Sequence, residues 1–422
     1  MLLRAATLAD GAVVDVRTRG ERIDEVAPAG SLLRGPDEDV QDLSGYVLLP
    51  APTEPHAHLD KAFTVGDVAN PAGNLDGAIE AWIAYRVALT VSDVFQRART
   101  GALRSLAHGA TAIRTHVDVG EGIELRGLEA LLKLRSDLAD IVPLQVVALV
   151  SRPFTGAAGA QNRAFLRAAV EAGADLVGGA PHVDPDPPAA LEFCLGVAAE
   201  YGKPVDLHMD ETLNQSMLGL ADLARRVIDG FPHPVTASHC VSLGIQPPEV
   251  QRRVARDVAA ARISVVTLPQ TNLYLQGRGF ETSPPRGLTA VRALLAAGAT
   301  VAAGGDNVQD PFNPLGRGDP LETAGLLVAA GHLTPWEAYQ LVSAGARKTM
   351  GLPEVEVAPG SPCELLAVAG SSLQEVIATA SEDRYVFSGG QLVSRTSVVR
   401  HVVGPLGSND AEGPALEAYL WR

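Results

Sequence analysis

Short apolar runs alternate with helix-like stretches from about residue 46 to residue 350. Eight such runs, rich in Val, Ala and Leu, each end in a polar cluster: GYVLLPAPTEPHAHLD, ATAIRTHVDVG, PLQVVALVSR, ADLVGGAPHVD, KPVDLHMDE, HPVTASHC, ISVVTLPQTN and ATVAAGGDN. Near-continuous apolar strands that alternate with helices are typical of a parallel sheet covered by helices. Eight units favour an α/β fold of the (β/α)8 TIM barrel type over an open sheet.

The two ends of the chain have a different pattern. Residues 1–45 and 355–404 contain short β segments separated by turn signals, and neither part is long enough for a stable core of its own. We therefore predict a small composite β domain, β-sandwich-like and formed by both termini, beside a catalytic barrel at 46–354. Residues 405–422 are predicted to be a surface extension.

Composition and charge exclude several classes of partner. The 422 residues include 34 Lys and Arg against 49 Asp and Glu, a formal net charge of −15, without a basic run. Such a chain is a poor partner for nucleic acid or an anionic membrane. Neither a membrane span nor a signal peptide is expected, since long apolar runs and a basic start are absent. Three scattered cysteines build no disulfide framework, which favours a cytoplasmic location.

Polar residues at the ends of four runs carry the candidate chemistry. The carboxyl ends of the strands form the active-site face of such barrels. The first run ends in His56 and His58, which point to one face because strand residues i and i+2 do so. The fifth, sixth and eighth runs end in His208, His239 and Asp306. Each alone could be a hydrogen-bonded histidine or a helix cap, but together they favour a site for Zn2+ or Fe2+, which imidazole and carboxylate bind.

Several longer motifs resemble the amidohydrolase superfamily. The strings EPHAHLDKAFT, RTHVDV, LHMDET, TASHC, NLYLQGR and GGDNVQDPFNPLG, with SAGARKTMGL after the barrel, are similar to its cytosine deaminase-like branch. DKAFT and GGDN also resemble the N-isopropylammelide isopropylaminohydrolases. The likeness extends from about residue 45 to residue 405.

The resemblance implies a role for each of these polar residues. One divalent metal ion, Zn2+ or Fe2+, would be bound by His56, His58, His208 and Asp306. His239 would hydrogen-bond the metal-bound water or the substrate, and Glu211 would move protons to the ring nitrogen and the departing group. Asp306 would also act as general base.

Elementary chemistry supports these roles. A divalent metal lowers the pKa of a bound water from 15.7 to about 7. An amine leaves only when its nitrogen is protonated, and a second carboxylate close to the reacting carbon can supply that proton. Glu211 lies three residues after His208 and suits this task, although a solvated charge or a helix-start acid is the ordinary alternative.

Absent motifs narrow the class further. The fourth run, ADLVGGAPHVD, has no lysine, whereas two-metal amidohydrolases carry a carboxylated lysine there. This favours one metal and argues against the hydantoinase and dihydroorotase branches. The HxE…PCxxC signature of the unrelated cytidine-type zinc deaminases and a GxGxxG after the first run are also missing.

The positions expected to contact substrate depart from the cytosine deaminase pattern. That branch has a glutamine where this chain has Ser151 beside Arg152, a second aspartate where it has Asn307, and a tryptophan where it has Phe312. Lys61 is also atypical. These differences predict altered specificity. Lys61 and Arg152 favour a substrate rich in carbonyl oxygen, or an anionic one, unless they form structural ion pairs.

Other polar residues are weaker candidates. Gln270, Asn272 and Gln276, near the seventh run, could contact a heterocycle edge or form only loop hydrogen bonds. His116 and His182 end two runs and are expected to support the metal ligands from behind.

We expect a metal-dependent hydrolase of carbon–nitrogen bonds other than peptide bonds. The favoured reaction is deamination, or release of a substituted amine, from an aminopyrimidine or triazine-like N-heterocycle. Hydrolysis of a cyclic or linear amide is the alternative, and a scaffold without catalysis is a third. The expected partner is a small-molecule N-heterocyclic substrate, and a homo-oligomer is expected by analogy with relatives.

Overall fold

The computed structural model describes residues 1–399. Its strands, in chain order, are β1 Leu2–Thr7, β2 Val13–Arg19, β3 Arg22–Pro28, β4 Val40–Asp42, β5 Tyr46–Pro50, β6 Glu54–Ala57, β7 Ile113–Val119, β8 Leu144–Val150, β9 Leu176–Gly179, β10 Val205–Met209, β11 Val235–His239, β12 Ser264–Thr267, β13 Thr300–Ala303, β14 Leu365–Ala369, β15 Arg384–Ser388 and β16 Gln391–Thr396.

The helices, in the same order, are α1 Leu75–Arg86, α2 Val91–Ala107, α3 Arg126–Asp137, α4 Ala160–Glu171, α5 Pro187–Tyr201, α6 Gly219–Ile228, α7 Val241–Gly244, α8 Pro248–Ala260, α9 Pro269–Leu275, α10 Val291–Ala296, α11 Pro320–Gly331, α12 Pro335–Val342, α13 Ala344–Thr349 and α14 Leu373–Thr379. A short 3-10 turn, Pro181–Val183, follows β9.

Strands β6 to β13 form the predicted barrel. They lie side by side in chain order, and every neighbouring pair is parallel. A parallel bridge between Ala57 and Asp306 closes the ring between the first and last strands, and the Asp306 N–H donates to the His56 carbonyl at 3.0 Å. Closure brings the polar ends of the strands to one rim.

A second sheet confirms that both termini build one composite unit. Its order is β16-β15-β14-β5-β1-β2-β3, and β4 pairs with β1. One correction concerns the first apolar run, which contains two strands. Tyr46–Pro50 pairs antiparallel with β14 in the composite sheet, and the barrel strand starts only at Glu54. Pro50 and Pro52 explain the break, because proline cannot donate to a ladder.

Strand β5 is buried on both faces. Val47 and Leu49 pack into the barrel's hydrophobic cluster, whereas Leu48 packs with Leu365 and Phe387 in the composite domain's own core. Successive strand residues point to opposite faces, so this central strand contacts both cores. The two units are thereby joined through continuous apolar packing.

A buried ion pair also joins the units. Arg384 of β15 is fully buried and donates to both carboxylate oxygens of Asp319, at 2.9 and 2.8 Å. The same guanidinium donates to the carbonyl of His108, at 2.7 Å, just after α2. Asp319 in turn caps α11 by accepting from the Leu321 N–H. The composite sheet is therefore tied to two barrel helices.

Two predictions fall partly or wholly outside the described residues. These are the extension at 405–422 and the last five positions of the composite range, 400–404. Among residues 1–399, no helix combines the length and the apolar character that a membrane crossing requires.

Candidate metal centre and pocket

The four metal ligands expected from the sequence converge at the barrel rim. His56 lies in β6, His58 directly after it, His208 in β10, and Asp306 after β13. His58 Nε2 lies 3.1 Å from His208 Nε2 and 3.4 Å from Asp306 Oδ1, and His56 Nε2 lies 3.5 Å from Asp306 Oδ1. Ligand atoms about 2.1 Å from a tetrahedral centre are roughly 3.4 Å apart, so these spacings fit one cation.

Buried polar atoms without hydrogen-bond partners concentrate at the same point. They are His56 Nε2, His239 Nε2, both ring nitrogens of His116 and both carboxylate oxygens of Asp306. Two overlapping triads, His56–His116–His208 and His56–His239–Asp306, each keep their ligand atoms within 4.8 Å. Because buried polar groups are normally paired, this cluster of unpartnered imidazole and carboxylate groups has the chemistry of a cation site.

The electrostatics keep the imidazoles neutral. Burial, together with the charges of neighbouring imidazoles, lowers the pKa of His56, His58, His116 and His208 well below the usual range. Burial and the neighbouring Asp310 raise the pKa of Asp306, a shift that a bound cation opposes. Neutral imidazole is the form that binds metal.

A hydrogen-bond chain fixes the tautomer of His56. The Ser238 hydroxyl donates to Asp206 Oδ1 at 2.9 Å, and Ser238 Oγ lies 2.9 Å from His56 Nδ1. Burial raises the pKa of Asp206, but the Arg114 ion pair at 2.9 Å opposes that shift. Because the Ser238 hydroxyl donates its one hydrogen bond to Asp206, its oxygen can only accept from His56, whose Nδ1 therefore carries the proton. The lone pair of His56 Nε2 is thus left for a metal.

A second hydrogen-bond group joins Glu211 to His239. Asn272 Nδ2 lies 3.1 Å from Glu211 Oε1 and 3.1 Å from His239 Nδ1. Donation to Nδ1 places the His239 proton on Nε2, so that this ring faces the cluster as a donor. Burial and the nearby Asp306 raise the pKa of Glu211 well above its ordinary value. This shift favours the protonated, neutral form of the carboxyl group.

The backbone is left-handed where the chain leaves these strands. Asp210, His239, Cys240 and Asp306 have φ angles of 49°, 68°, 50° and 62°. Residues other than glycine rarely adopt this region, and it is tolerated where the surrounding structure enforces it. The sharp turns occur at the rim itself, next to the clustered side chains.

A cavity of about 750 Å3 opens onto the cluster. Besides the metal-centre residues, one face of α1 contributes to its lining, through Leu75, Ile79, Trp82, Ile83 and Arg86.

Lys61 lies in this cavity within a buried ion-pair network. Its ammonium lies 2.7 Å from Asp118 Oδ1 and 3.3 Å from Asp60 Oδ2. The other Asp118 oxygen accepts from Trp82 Nε1 at 2.7 Å and from Arg86 Nη1 at 3.1 Å. Reasoning from strand ends could not find Trp82 and Arg86, because α1 carries them. Their i, i+4 spacing on one helix face was the available signal.

The other predicted substrate contacts divide into two groups. Ser151, Arg152, Asn307 and Phe312 line the cavity, and Ser151 Oγ accepts from the Arg86 guanidinium at 2.9 Å. Gln276 is not among the residues that line the cavity. It follows the end of α9, and its side-chain amide donates to the backbone carbonyl of Glu211 at 3.2 Å.

The two additional histidines are closer to the site than expected. His116 lies within the cluster, its ring centroid 4.0 Å from that of His56. His182 donates from Nδ1 to the His208 carbonyl at 3.1 Å and lines the cavity. Its Nε2 is buried without a partner.

Comparisons with known proteins agree over nearly the whole chain. The amidohydrolase family model matches residues 107–393. A pterin deaminase from Rhizobium rhizogenes is 32% identical over 398 residues, 92% of this chain and 87% of that protein. The structure of 5-methylcytosine deaminase from Klebsiella pneumoniae has a TM-score of 0.86 and 28% identity, covering 96% of this chain and 100% of that one. The structure of N-isopropylammelide isopropylaminohydrolase from Burkholderia multivorans has a TM-score of 0.80 and 30% identity, covering 93% of this chain and 98% of that one.

Proposed function

The chain belongs to the amidohydrolase family, and on this premise we propose that it is a metal-dependent deaminase, or amine-releasing aminohydrolase, of a small N-heterocycle. One observation carries the proposal. A buried cluster of neutral imidazoles and one carboxylate shares a cavity with Glu211, whose raised pKa favours the protonated form. Such a site combines a metal position with a proton donor, which loss of an amine requires.

We assign the metal to His56, His58, His208 and Asp306, with Zn2+ or Fe2+ as the ion. When bound, such an ion supplies a water acidic enough to react at neutral pH and polarises the bond under attack. The residues of strand β9 favour one metal ion over two. The strand ends in Gly178 and Gly179, where an added Cβ would lie 2.7 Å from Val147 and 2.7 Å from Cys194. A lysine able to bridge two metals does not fit there.

The chain's own residues divide the proton transfers. Asp306 accepts the proton that the attacking water loses. Glu211 gives its proton to the ring nitrogen as water adds, and it passes a second proton, taken from the added hydroxyl, to the departing nitrogen. The proton on Asp306 then restores the acid form of Glu211. His239, whose Nε2–H faces the cluster, donates a hydrogen bond to the oxygen that adds to the ring carbon. The roles rest on the tautomer and protonation states derived from the contacts above.

The cavity wall suits a flat polar ring. Asn307 lines the cavity and is held on both sides, because Asp310 accepts from its amide nitrogen at 2.7 Å and Thr271 donates to its amide oxygen at 3.4 Å. Phe312 offers an aromatic face, and Ser151 a hydroxyl oriented by Arg86. The relatives are named for the removal of amines from pterin, 5-methylcytosine and N-isopropylammelide. We therefore propose an aminated pyrimidine, triazine or pteridine ring as the substrate class.

The decisive experiment is amine release by the purified full chain loaded with Zn2+ or Fe2+. Ammonia or a free amine with the ring retained supports the proposal, whereas a new carboxylate in the product indicates amide hydrolysis instead. Glu211→Gln should lower kcat by about 10²- to 10⁴-fold with the metal still bound. Glu129→Gln, an exposed change on α3, is the matched control. Wild-type turnover by Glu211→Gln contradicts the assigned role.

We also infer a cytoplasmic homo-oligomer. Cys194, Cys240 and Cys363 are buried free thiols, which suit a reducing compartment. The oligomer rests on analogy with relatives. Sedimentation of the full chain tests the oligomer, and cell fractionation tests the location.

A further inference from the structure

Two cationic side chains in the cavity differ in whether their charge is already paired. The ammonium of Lys61 is buried and lies within ion-pair distance of Asp118 and Asp60. The guanidinium of Arg86 also pairs with Asp118, at 3.1 Å. Little of either charge is left for a ligand, because the neighbouring carboxylates compensate both.

Arg152 is the contrasting case. It directly follows Ser151 at the end of β8, lines the same cavity and is half-buried. Within residues 1–399 its side chain forms no hydrogen bond and no ion pair. Burial lowers the pKa of His182 to about 4, and the charge of Arg152 acts on that ring in the same direction. The exposed Asp76 of α1 acts on the same histidine with the opposite sign, yet it does not pair with Arg152.

The surroundings of Arg152 have a defined polarity. His182 donates its Nδ1–H to the His208 carbonyl, so its unpartnered Nε2 is an acceptor in the cavity. The apolar side chains of Leu75, Ile79 and Ile83 on α1 contribute to the lining. The cavity lining therefore includes an acceptor for a ring N–H, apolar side chains and one planar cation whose charge is unpaired within residues 1–399.

We propose that Arg152 forms a subsite for an anionic substituent, so that the substrate is an aminated N-heterocycle carrying a carboxylate away from the reacting carbon–nitrogen bond. Guanidinium binds carboxylate through two parallel hydrogen bonds, a geometry that lysine cannot reproduce. This inference rests on the proposed function for the identity of the ring, but not for the existence of the subsite. Its test therefore separates binding from turnover.

Matched pairs that exchange a methyl for a carboxylate provide the probes. We choose 6-methylpterin with pterin-6-carboxylate, and 5-methylcytosine with 5-carboxycytosine. Binding to metal-loaded wild type, Arg152→Gln and Arg152→Lys is measured by calorimetry, and amine release is measured separately. Arg99→Gln removes an exposed charge from α2, outside the cavity, and controls for net charge.

The wild type should bind at least one carboxylated probe about tenfold more tightly than its methyl partner, the size expected for a charged hydrogen bond at a half-exposed site. Arg152→Gln should remove that preference, Arg152→Lys should restore only part of it, and Arg99→Gln should keep it. Equal binding within both pairs, or a preference that survives in Arg152→Gln, overturns the subsite. A preference that depends on Arg152 without any amine release supports the subsite and counts against the proposed function.

Discussion

Replacing Ser238 with alanine is expected to weaken metal binding while leaving the barrel folded. The Ser238 hydroxyl accepts from His56 Nδ1 and donates to Asp206, each across 2.9 Å in a fully buried position. Without the hydroxyl, His56 loses the contact that keeps its proton on Nδ1 and its Nε2 lone pair towards the cluster. The ring is then free to adopt the tautomer that cannot bind metal.

The magnitude follows from the two lost bonds. Removing a partner that orients a metal-binding histidine costs about 10- to 100-fold in metal affinity, or about 1.4–2.7 kcal/mol. The fold should lose a comparable amount, about 2 kcal/mol, because one of the bonds is charge-assisted. Asp206 keeps its ion pair with Arg114 at 2.9 Å, so no isolated charge is left behind.

The assay is competition for Zn2+ against a chromogenic chelator at fixed pH. Ser242→Ala is the matched control, because Ser242 is equally buried and near the rim, and its hydroxyl has no hydrogen-bond partner among residues 1–399. Wild-type affinity in Ser238→Ala would refute the assignment of the His56 tautomer. An equal loss in Ser242→Ala would show that the effect reflects general destabilisation.

Two further predictions concern the composite sheet. Arg384→Met should lower the free energy of unfolding by about 3–5 kcal/mol, because it leaves the buried Asp319 carboxylate without its partner. In urea denaturation, adding Asp319→Asn should recover part of this loss. If the effects of the two substitutions were fully additive, the pairing would be contradicted. Burial and the hydrogen bond to Asp383 raise the pKa of Tyr46 to about 12. The stability that the neutral phenol adds to the fold is therefore fully present below pH 10, the ordinary tyrosine pKa, and is lost as pH rises towards 12. Tyr46→Phe should therefore be less stable than wild type at neutral pH and lose less stability above pH 10, and parallel pH profiles of melting temperature would disprove this.

The sequence was sufficient for the barrel because every strand keeps the same local signature, an apolar run that ends in polar residues. It failed where two strands share one apolar run. Pro50 and Pro52 separate Tyr46–Pro50 from Glu54–Ala57, but only the tertiary partners assign the first to the composite sheet and the second to the barrel. Lys61 could be identified as unusual, but its pairing with Asp118 depends on a contact between residues 57 positions apart. Such pairings follow from the parallel pairing of β6 with β7, which no local pattern encodes.

Residues that act through their neighbours were the hardest to predict. Asn272 was one of three polar candidates near the seventh run, and only its distances to Glu211 and His239 distinguish it. Gln276, four positions later, has the same amide group on a side chain one methylene longer, yet it donates to a backbone carbonyl instead of to the side chains of the site. The difference lies in where α9 ends, a boundary that sequence patterns place only to within a few residues.

The left-handed backbone at the rim limits how heat-resistant a working version of this barrel can become. Each non-glycine residue held there costs about 1–3 kcal/mol, and His239 and Asp306 are both in that state. Glycine at either position would relieve the strain and remove the side chain that the chemistry needs. Laboratory selection for thermal tolerance alone would therefore enrich inactive variants with glycine at these two positions. Selection for turnover must be applied at the same time.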